Sequence, residues 1–378
     1  LWWSVLRLDT STPEWPRGAW PSVSVIVPSR NEEAAVREAT RTLLAMDYPR
    51  LQVVAVDDRS TDRTGAILDE LAANDPRLAV VHVDNLPPGW LGKNHANHLG
   101  ARRADGEWLL FTDGDVHFSP DALRRAMALV ERCGVDHLAA LPLLVCRGFW
   151  ARAIQTATFS LLTVRYRMWQ LRTPRTRGFA GFGAFNLVRR SAYVTSGGHE
   201  RLRMEVADDI KLGMVLRRSG FAQALADARG LVRVAWQDGV LSSLRGLMKN
   251  AFAGTNWQWR WMAPAVLATV LPVVVPFLGM VMAPEPGMKA LGAASLVLSM
   301  VIHGWAARRM AGGSGLEGLT YPLVALVLGG LMLAAAASAT RRGGITWRGT
   351  FYPISQLRTG GADERVWRWD GVTGWRSR

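Results

Sequence analysis

Leu109-Leu110-Phe111-Thr112-Asp113-Gly114-Asp115-Val116 is the stretch around which the 378-residue chain is organised. An apolar run, Trp108 to Phe111, stops abruptly at two carboxylates separated by one glycine. Such a run reads as a buried strand of a parallel sheet, and ligands of those sheets bind beyond the carboxyl ends of the strands. In extended backbone, residues i and i+2 point to the same side, so Asp113 and Asp115 converge on one object. Gly114 permits a sharp bend and a close ligand approach. Paired carboxylates suit a hard divalent cation holding a diphosphate. Alone, Asp-x-Asp is equally an acidic turn after a core strand, so the rest of the chain has to decide.

Upstream, Val23-Ser24-Val25-Ile26-Val27-Pro28 is a short β-rich run ended by proline. A helical pattern to about Leu44 follows, with Asn31 as its N-cap candidate and acidic residues in the first turn. Leu51 to Val56 forms the second strand and ends in Asp57-Asp58-Arg59-Ser60-Thr61-Asp62, before a helix to about Ala73. Leu78 to Val83 is the third strand. A Gly/Pro-rich loop then leads to Lys93 and a helix up to Arg103. Ser119-Pro120-Asp121 marks the start of the next helix, with proline at its first position. Strand–helix alternation of this kind predicts a doubly wound α/β sheet. Three strand ends carry polar clusters: Arg30/Glu32, Asp57/Asp58 and Asp113/Asp115. Three on one rim describe a site that binds something polar across the sheet. No G-x-G-x-x-G follows the first strand and no G-x-x-x-x-G-K-[ST] occurs, which argues against a dinucleotide cofactor and a P-loop.

Val-Pro-x-Arg-Asn-Glu (27–32), Asp-Asp-x-Ser-x-Asp (57–62), Gly-Lys-x-x-Ala (92–96) and Asp-Gly-Asp (113–115), in this order and spacing, resemble a family 2 glycosyltransferase with the GT-A fold. Gly181-Phe182-Gly183-Ala184-Phe185-Asn186, with Arg189-Arg190 and Gly197-Gly198, resembles that family's acceptor-side segment. Val206-Ala207-Asp208-Asp209-Ile210 resembles its catalytic acidic pair. Ile345 to Tyr352 resembles the membrane-bound subgroup that includes carotenoid- and hopanoid-associated and ceramide-type enzymes. The resemblance implies a GT-A nucleotide-diphospho-sugar transferase fold with a mixed, mostly parallel sheet. It implies that Pro28, Arg30, Glu32 and Asp57 or Asp58 hold the nucleoside, with UDP favoured by family prevalence.

The chemistry expected is sugar transfer from a nucleotide diphosphate to a hydroxyl. The diphosphate leaves with growing negative charge, which a divalent cation, Mn2+ or Mg2+, stabilises. Asp115 is the expected metal ligand, and Asp113 contacts the ribose or shares the metal. Lys93 opens a helix, so its charge and the helix N-terminus both suit an anion. His117 either reaches the same cation or is a hydrogen-bonding loop histidine. The acceptor hydroxyl needs a base. Consecutive helical residues diverge by about 100°, so only one of Asp208 and Asp209 faces the sugar; the resemblance favours Asp209. The competing reading is an acidic first turn that stabilises its helix. A single carboxylate base with direct displacement predicts inversion. Gly183 and His199 are expected on the acceptor side, and a plain surface turn is the alternative for His199.

The composition is 49% hydrophobic with 17 Trp and a net charge of +14. The basic residues sit beside apolar and Trp-rich stretches and no nucleic-acid motif occurs, so the charge points to an anionic membrane surface and not to nucleic acid. Cys133 and Cys146 have neither disulfide nor metal spacing. Residues 148–177 mix apolar, aromatic and basic side chains, as an interfacial helix does; a core helix with exposed arginines is the alternative. Residues 241–261 repeat the theme and end in Trp257-Gln258-Trp259-Arg260-Trp261, an interfacial belt. Three membrane spans are expected: Met262–Met282 (kinked at Pro264, Pro272 and Pro276), a weaker Ala290–Ala307, and Tyr321–Ala339. The expected organisation is therefore a 1–22 linker, a catalytic domain over 23–240, an interfacial helix over 241–261, membrane helices over 262–340 and a basic tail over 341–378. Leu1 to Leu6 reads as the tail of an upstream apolar segment. With a cytosolic catalytic domain at the inner membrane, three full spans put the basic tail outside, against the positive-inside tendency.

Three functions compete. The first is transfer of one sugar from a nucleotide sugar to a lipid acceptor. The second is a processive polysaccharide synthase; Arg260-Trp261 matches the end of Gln-x-x-Arg-Trp in those relatives, but Gln258 stands one place off. The third is an inactive membrane-bound binding protein, which would be expected to have lost Asp115 or the acidic pair.

Overall fold

The computed structural model describes residues 5–8, 19–171, 177–235 and 239–359, and the backbone of 367–369 and 375–377. Most of the 1–22 linker and the end of the basic tail lie outside the described residues. The chain divides into two units: Leu1–Leu143 with Tyr166–Val234 and Gly360–Arg378, and Leu144–Arg165 with Ala235–Thr359. The second unit thus takes in a segment, Leu144–Arg165, from inside the 23–240 stretch.

The first unit is built on one mixed, mostly parallel sheet. In chain order its elements are β1 (Leu6–Arg7), β2 (Val23–Ser29), α1 (Val36–Leu44), β3 (Leu51–Asp58), α2 (Thr64–Asn74), β4 (Leu78–Val83), α3 (Gly92–Arg103), β5 (Trp108–Phe111), β6 (Val116–Phe118), α4 (Ala122–Cys133), β7 (His137–Leu141), with a two-residue β8 (Leu143–Leu144) at the boundary between the units. β9 (Asn186–Arg189), α6 (Arg190–Thr195), α7 (Asp208–Arg218), β10 (Gln223–Asp227) and β11 (Val232–Val234) complete it. The eight-stranded sheet runs β1-β10-β7-β9-β5-β2-β3-β4. β2 lies parallel between β3 and β5, whereas β9 runs antiparallel to both β5 and β7.

The near-continuous apolar runs of β2, β3 and β5 are buried on both faces, as a helix-covered parallel sheet requires. α1 buries Val36, Ala39, Thr40 and Leu43, one helical stripe. Two expected helix starts move. α1 begins at Val36, not after Asn31; Asn31 has φ +54° and spends its side chain accepting the Thr61 N–H at 2.8 Å. α4 begins at Ala122, so Pro120 sits in the turn before it.

The second unit holds α5 (Phe149–Arg165), α8 (Val240–Ala253), α9 (Trp259–Met282), α10 (Pro286–Ala311), α11 (Tyr321–Arg342), the hairpin β12 (Gly344–Trp347) and β13 (Thr350–Pro353), and α12 (Ile354–Thr359). The expected 241–261 helix is two elements: α8 ends at Ala253 and the Trp-rich belt opens α9. α9 continues through Pro264, Pro272 and Pro276. Trp259–Met282, Pro286–Ala311 and Leu316–Arg342 are each long and apolar enough to cross a membrane. Glu317, 2% exposed, is the polar anchor of this unit; it accepts Arg152 Nε–H at 2.8 Å, the Gly315 N–H at 2.8 Å and the Ser314 hydroxyl at 3.1 Å.

Candidate active site

The loops after β2 and β3 are laced together at the rim of the sheet. The Asn31 N–H donates to Ser60 Oγ, the Glu32 N–H to Thr64 Oγ1 at 2.8 Å, and the Thr61 N–H to Asn31. Pro28 and Ser29 pair with Val56 and Asp57, so the ends of both strands arrive level. Asp57 is buried and holds the Ser60 N–H and His82 Nδ1. Asp58 is buried too; it takes Arg59 in a bidentate pair at 2.8 and 3.1 Å, with Arg30 at 4.0 Å. Of the two aspartates, Asp58 is therefore the one tied to the arginines of the rim. Arg59 was not read as a site residue, although its place inside Asp-Asp-x-Ser is a usable signal.

β5 delivers Asp113 and Asp115. Ser29, 1% exposed, leaves its hydroxyl without a hydrogen-bond partner beside Gly114, between the two carboxylates in sequence. Burial, then the charges of Asp113 and Glu32, push the Asp115 carboxyl up to about 6. His117 does not complete a metal cluster: among the described residues no group of three His, Cys, Asp or Glu side chains could hold an ion. It is paired in β6 opposite Arg233 of β11.

Antiparallel β9 brings the second half of the site to the first. The Asp113 N–H donates to the Gly183 carbonyl at 2.9 Å, and the Gly183 N–H donates to Asp209 Oδ2 at 2.8 Å. One glycine thus couples the end of β5 to the start of α7. Asn186 Nδ2 holds the Asp209 carbonyl at 3.2 Å. Asp209 Oδ1 accepts the N–H of Ile210, as expected of an acidic first turn, while its other oxygen faces Gly183.

Lys93, at the second position of α3, lies 2.7 Å from Asp113 Oδ1 and 3.4 Å from Asp208 Oδ1. Burial works against its charge, but Asp113 and Asp208 outweigh it, so Lys93 is held protonated. Asp208 is buried; desolvation pushes it up to about 6 against the pull of Lys93. Asp209 is shifted the same way for the same leading reason. Asn97, one turn after Lys93 on α3, donates to Asp208 Oδ2 at 3.4 Å. It was not anticipated, although i and i+4 share a helix face. His199, expected on the acceptor side or in a surface turn, is neither solvent-facing nor loose. It is 1% exposed, its ring packs 4.7 Å from that of Phe111, and Nε2 lies 4.0 Å from Asp208.

Residues 24–194 match the family model described as Glycosyl transferase family 2. Among curated proteins, the chain is 26% identical over 239 residues to the 4,4'-diaponeurosporenoate glycosyltransferase of Staphylococcus haemolyticus, covering 62% of each chain. It is 24% identical over 346 residues to the enzyme of that name from Staphylococcus aureus, covering 89% of each. Among solved structures, the mannosyltransferase PcManGT from Pyrobaculum calidifontis, in complex with GDP-Man and Mn2+, superposes with a TM-score of 0.54 at 20% identity, covering 87% of this chain and 88% of that one. With this family model over the rim, β5 and β9, and the same sheet architecture in a known transferase, the chain is a glycosyltransferase whose residues 24–194 form a family 2 domain on a GT-A-like fold.

Proposed function

We propose that the protein is a membrane-bound inverting transferase that moves a single sugar from a nucleotide-diphosphate donor to a hydroxyl of a lipid acceptor. The observation that carries this reading is the Gly183 bridge, which ties Asp113 on the donor side to Asp209: its carbonyl accepts the Asp113 N–H and its own N–H donates to the Asp209 carboxylate. Pro28, Arg30, Glu32, Asp57 and Asp58 receive the nucleoside. Asp209, its affinity for a proton raised by burial, accepts the proton of the acceptor hydroxyl. Lys93 presents a fixed positive charge beside Asp113, where the diphosphate departs.

The residues present fit a divalent cation of the Mn2+ or Mg2+ kind. Asp115 and Asp113 supply two carboxylates, a nearby cation would relieve the burial and the acidic neighbours that raise Asp115's affinity for a proton, and the remaining ligands would come from phosphate oxygens, the usual arrangement for such ions. Bound there, the ion would neutralise charge developing on the leaving diphosphate.

A lipid acceptor is supported by the three long apolar helices and by curated relatives named for a carotenoid acid. The catalytic domain (23–240) would then work at the cytosolic face of the inner membrane, with residues 241–261 at the interface.

The test is sugar transfer by the detergent-solubilised full chain. UDP-glucose and GDP-mannose are offered separately, with total membrane lipid, with and without EDTA. One labelled lipid, lost with EDTA and in Asp209→Asn, is the expected result. A polymeric product would point to the processive synthase, and no turnover with any donor would sink the proposal. Activity that survives EDTA would remove the cation from the roles of Asp113 and Asp115.

A further inference from the structure

Behind the acidic pair lies a buried contact that the reaction above does not use. Tyr193 and His199 are 7% and 1% exposed. The Tyr193 hydroxyl accepts the backbone N–H of His199 at 3.1 Å and lies 3.0 Å from His199 Nδ1. The close turn comes from Gly197 and Gly198, at φ +83° and +46°; a Cβ on Gly198 would overlap the Tyr193 ring. A buried hydroxyl proton needs an acceptor, and Nδ1 is the acceptor at hand. Nδ1 therefore carries no hydrogen, and the imidazole holds its proton on Nε2. That nitrogen faces Asp208 Oδ2 at 4.0 Å, where an N–H is attracted and a lone pair would be repelled. Both ends of the ring select the same tautomer. Burial, with Lys93 nearby, pushes the ring down to about 3, so it stays neutral.

We propose that Tyr193 and His199 are positioning residues: the tyrosine locks the imidazole so that a neutral Nε2–H is aimed at Asp208, which in turn holds Lys93 beside Asp113. The proposal rests on the transferase reading of this site. Facing Asp208 are Lys93 and Asn97 from α3, His199, the adjacent Asp209, and Asp113 beyond Lys93. Among them His199 is the ring whose polarity towards Asp208 can invert by a shift of one proton without a change of charge. In Tyr193→Phe the lock is gone. Only Asp208 then selects the tautomer, the Nε2–H is held less firmly, the Asp208 carboxylate loses part of that support, and the acidic limb of the kcat/KM profile moves up by about half a pH unit.

Two measurements test this on the full chain in detergent. The first, 15N-histidine NMR, does not need activity. The expected spectrum shows His199 locked as the Nε2–H tautomer and unchanged from pH 5 to 8, assigned by its loss in His199→Gln and released in Tyr193→Phe; the buried His137, whose Nε2 faces Asn186 Oδ1, gives a similar signal that all these variants retain. A wild-type His199 with its proton on Nδ1, or one that titrates in that range, overturns the proposal. The second is the pH profile. Tyr193→Phe and His199→Leu shift the acidic limb upward, and His199→Gln, which keeps a donor towards Asp208, restores it. An unmoved limb with lower amplitude in all three variants would reduce the pair to packing. An inactive wild type would instead indict the transferase reading, with the NMR result standing separately.

Discussion

Replacing Gly183 with alanine should disable the enzyme while leaving it folded. An ideal Cβ at Gly183 would sit 3.2 Å from Asp113 Cγ and 3.5 Å from Oδ1, and against Oδ2 at a separation real Cβ atoms do not adopt. What must give is the far end of one side chain, so the carboxylate swings away by about 1 Å at a stability cost of about 1 kcal/mol. The swing opens the 2.7 Å contact with Lys93. A 1 Å misplacement in a reacting constellation costs roughly 100-fold, or about 2.7 kcal/mol of barrier. The assay is kcat/KM for sugar transfer at several Mn2+ concentrations, beside the melting temperature in detergent. The reasoning predicts a loss of about 100-fold, a raised metal requirement and a nearly unchanged melting temperature. A variant within a few-fold of wild type, or one whose activity falls only as far as its folding, would refute it.

Lys93→Met keeps the chain length and removes the charge; Asp208 and Asp113 lose their shared partner, so turnover should fall more than 100-fold, with the acidic limb displaced upward. In the wild type, that limb should belong to the interacting Asp208 and Asp209 and lie above the ordinary carboxylate range, because burial raises both and pushes Asp208 up to about 6. The signs then diverge. As pH falls through that limb the pair takes up a proton, the base is lost and the rate drops about tenfold per unit. The same protonation relieves a buried charge, so this group's stabilising contribution is complete below its ordinary carboxylate range and is lost as pH rises through 6; thermal melts and rates should slope in opposite directions between pH 5 and 7. Glu317→Gln leaves the shape but replaces an acceptor with an amide facing Arg152, Ser314 and Gly315. The cost should be about 2 kcal/mol after allowance for the partial exposure of Arg152, read as a lower melting temperature.

The rim of the sheet that carries the proposed donor residues was legible because it is local. Strand ends, the Asp-Gly-Asp turn and the start of α3 are each written in a few consecutive residues, and β2, β3, β4, β5 and α3 fall where periodicity places them. The acceptor half was legible as residues but not as geometry. That Asp209 meets Gly183, and through it Asp113, depends on β9 entering antiparallel between β5 and β7, a pairing set by tertiary packing. Gly181 and Gly213 show the same limit. A Cβ on either would strike the backbone of the other segment, at Asp209 and Ala180 respectively, so they are glycines because α7 lies against residues 180–181. Nothing local announces that. Asn31 failed for another reason: its side chain found a better partner across the rim than in its own helix.

The apolar third of the chain posed a parity problem, since three spans would carry the basic tail to the face opposite the start of α9. The helix pairing removes it. Trp259 Nε1–H donates to Thr340 Oγ1 at 3.1 Å, Thr269 meets Met332 at 3.8 Å, Gly329 packs on Val266 and Val270, and Val273 shares a cluster with Ala325. Falling numbers on α9 meet rising numbers on α11, so the two form an antiparallel hairpin whose entry and exit are neighbours. α10 packs on α9 near the turn that joins them and then diverges. Gly292 rests on the backbone of Pro276 and Met280, and His303, about 16 Å further along the helix, stacks on Tyr321, which packs in the same cluster as Met280. Both contacts lie at one height on the hairpin, so α10 lies across it. If α9 and α11 are the two crossings, Arg341 and Arg342 return to the side from which α9 departs, in agreement with the positive-inside tendency. Single cysteines in a Cys133→Ser, Cys146→Ser background decide the matter in sealed vesicles. An impermeant maleimide should label Asn256→Cys and Ser355→Cys from one side, and Glu285→Cys and Leu316→Cys from the other. Labelling of positions 256 and 355 from opposite sides would restore three crossings and return the tail to the far face.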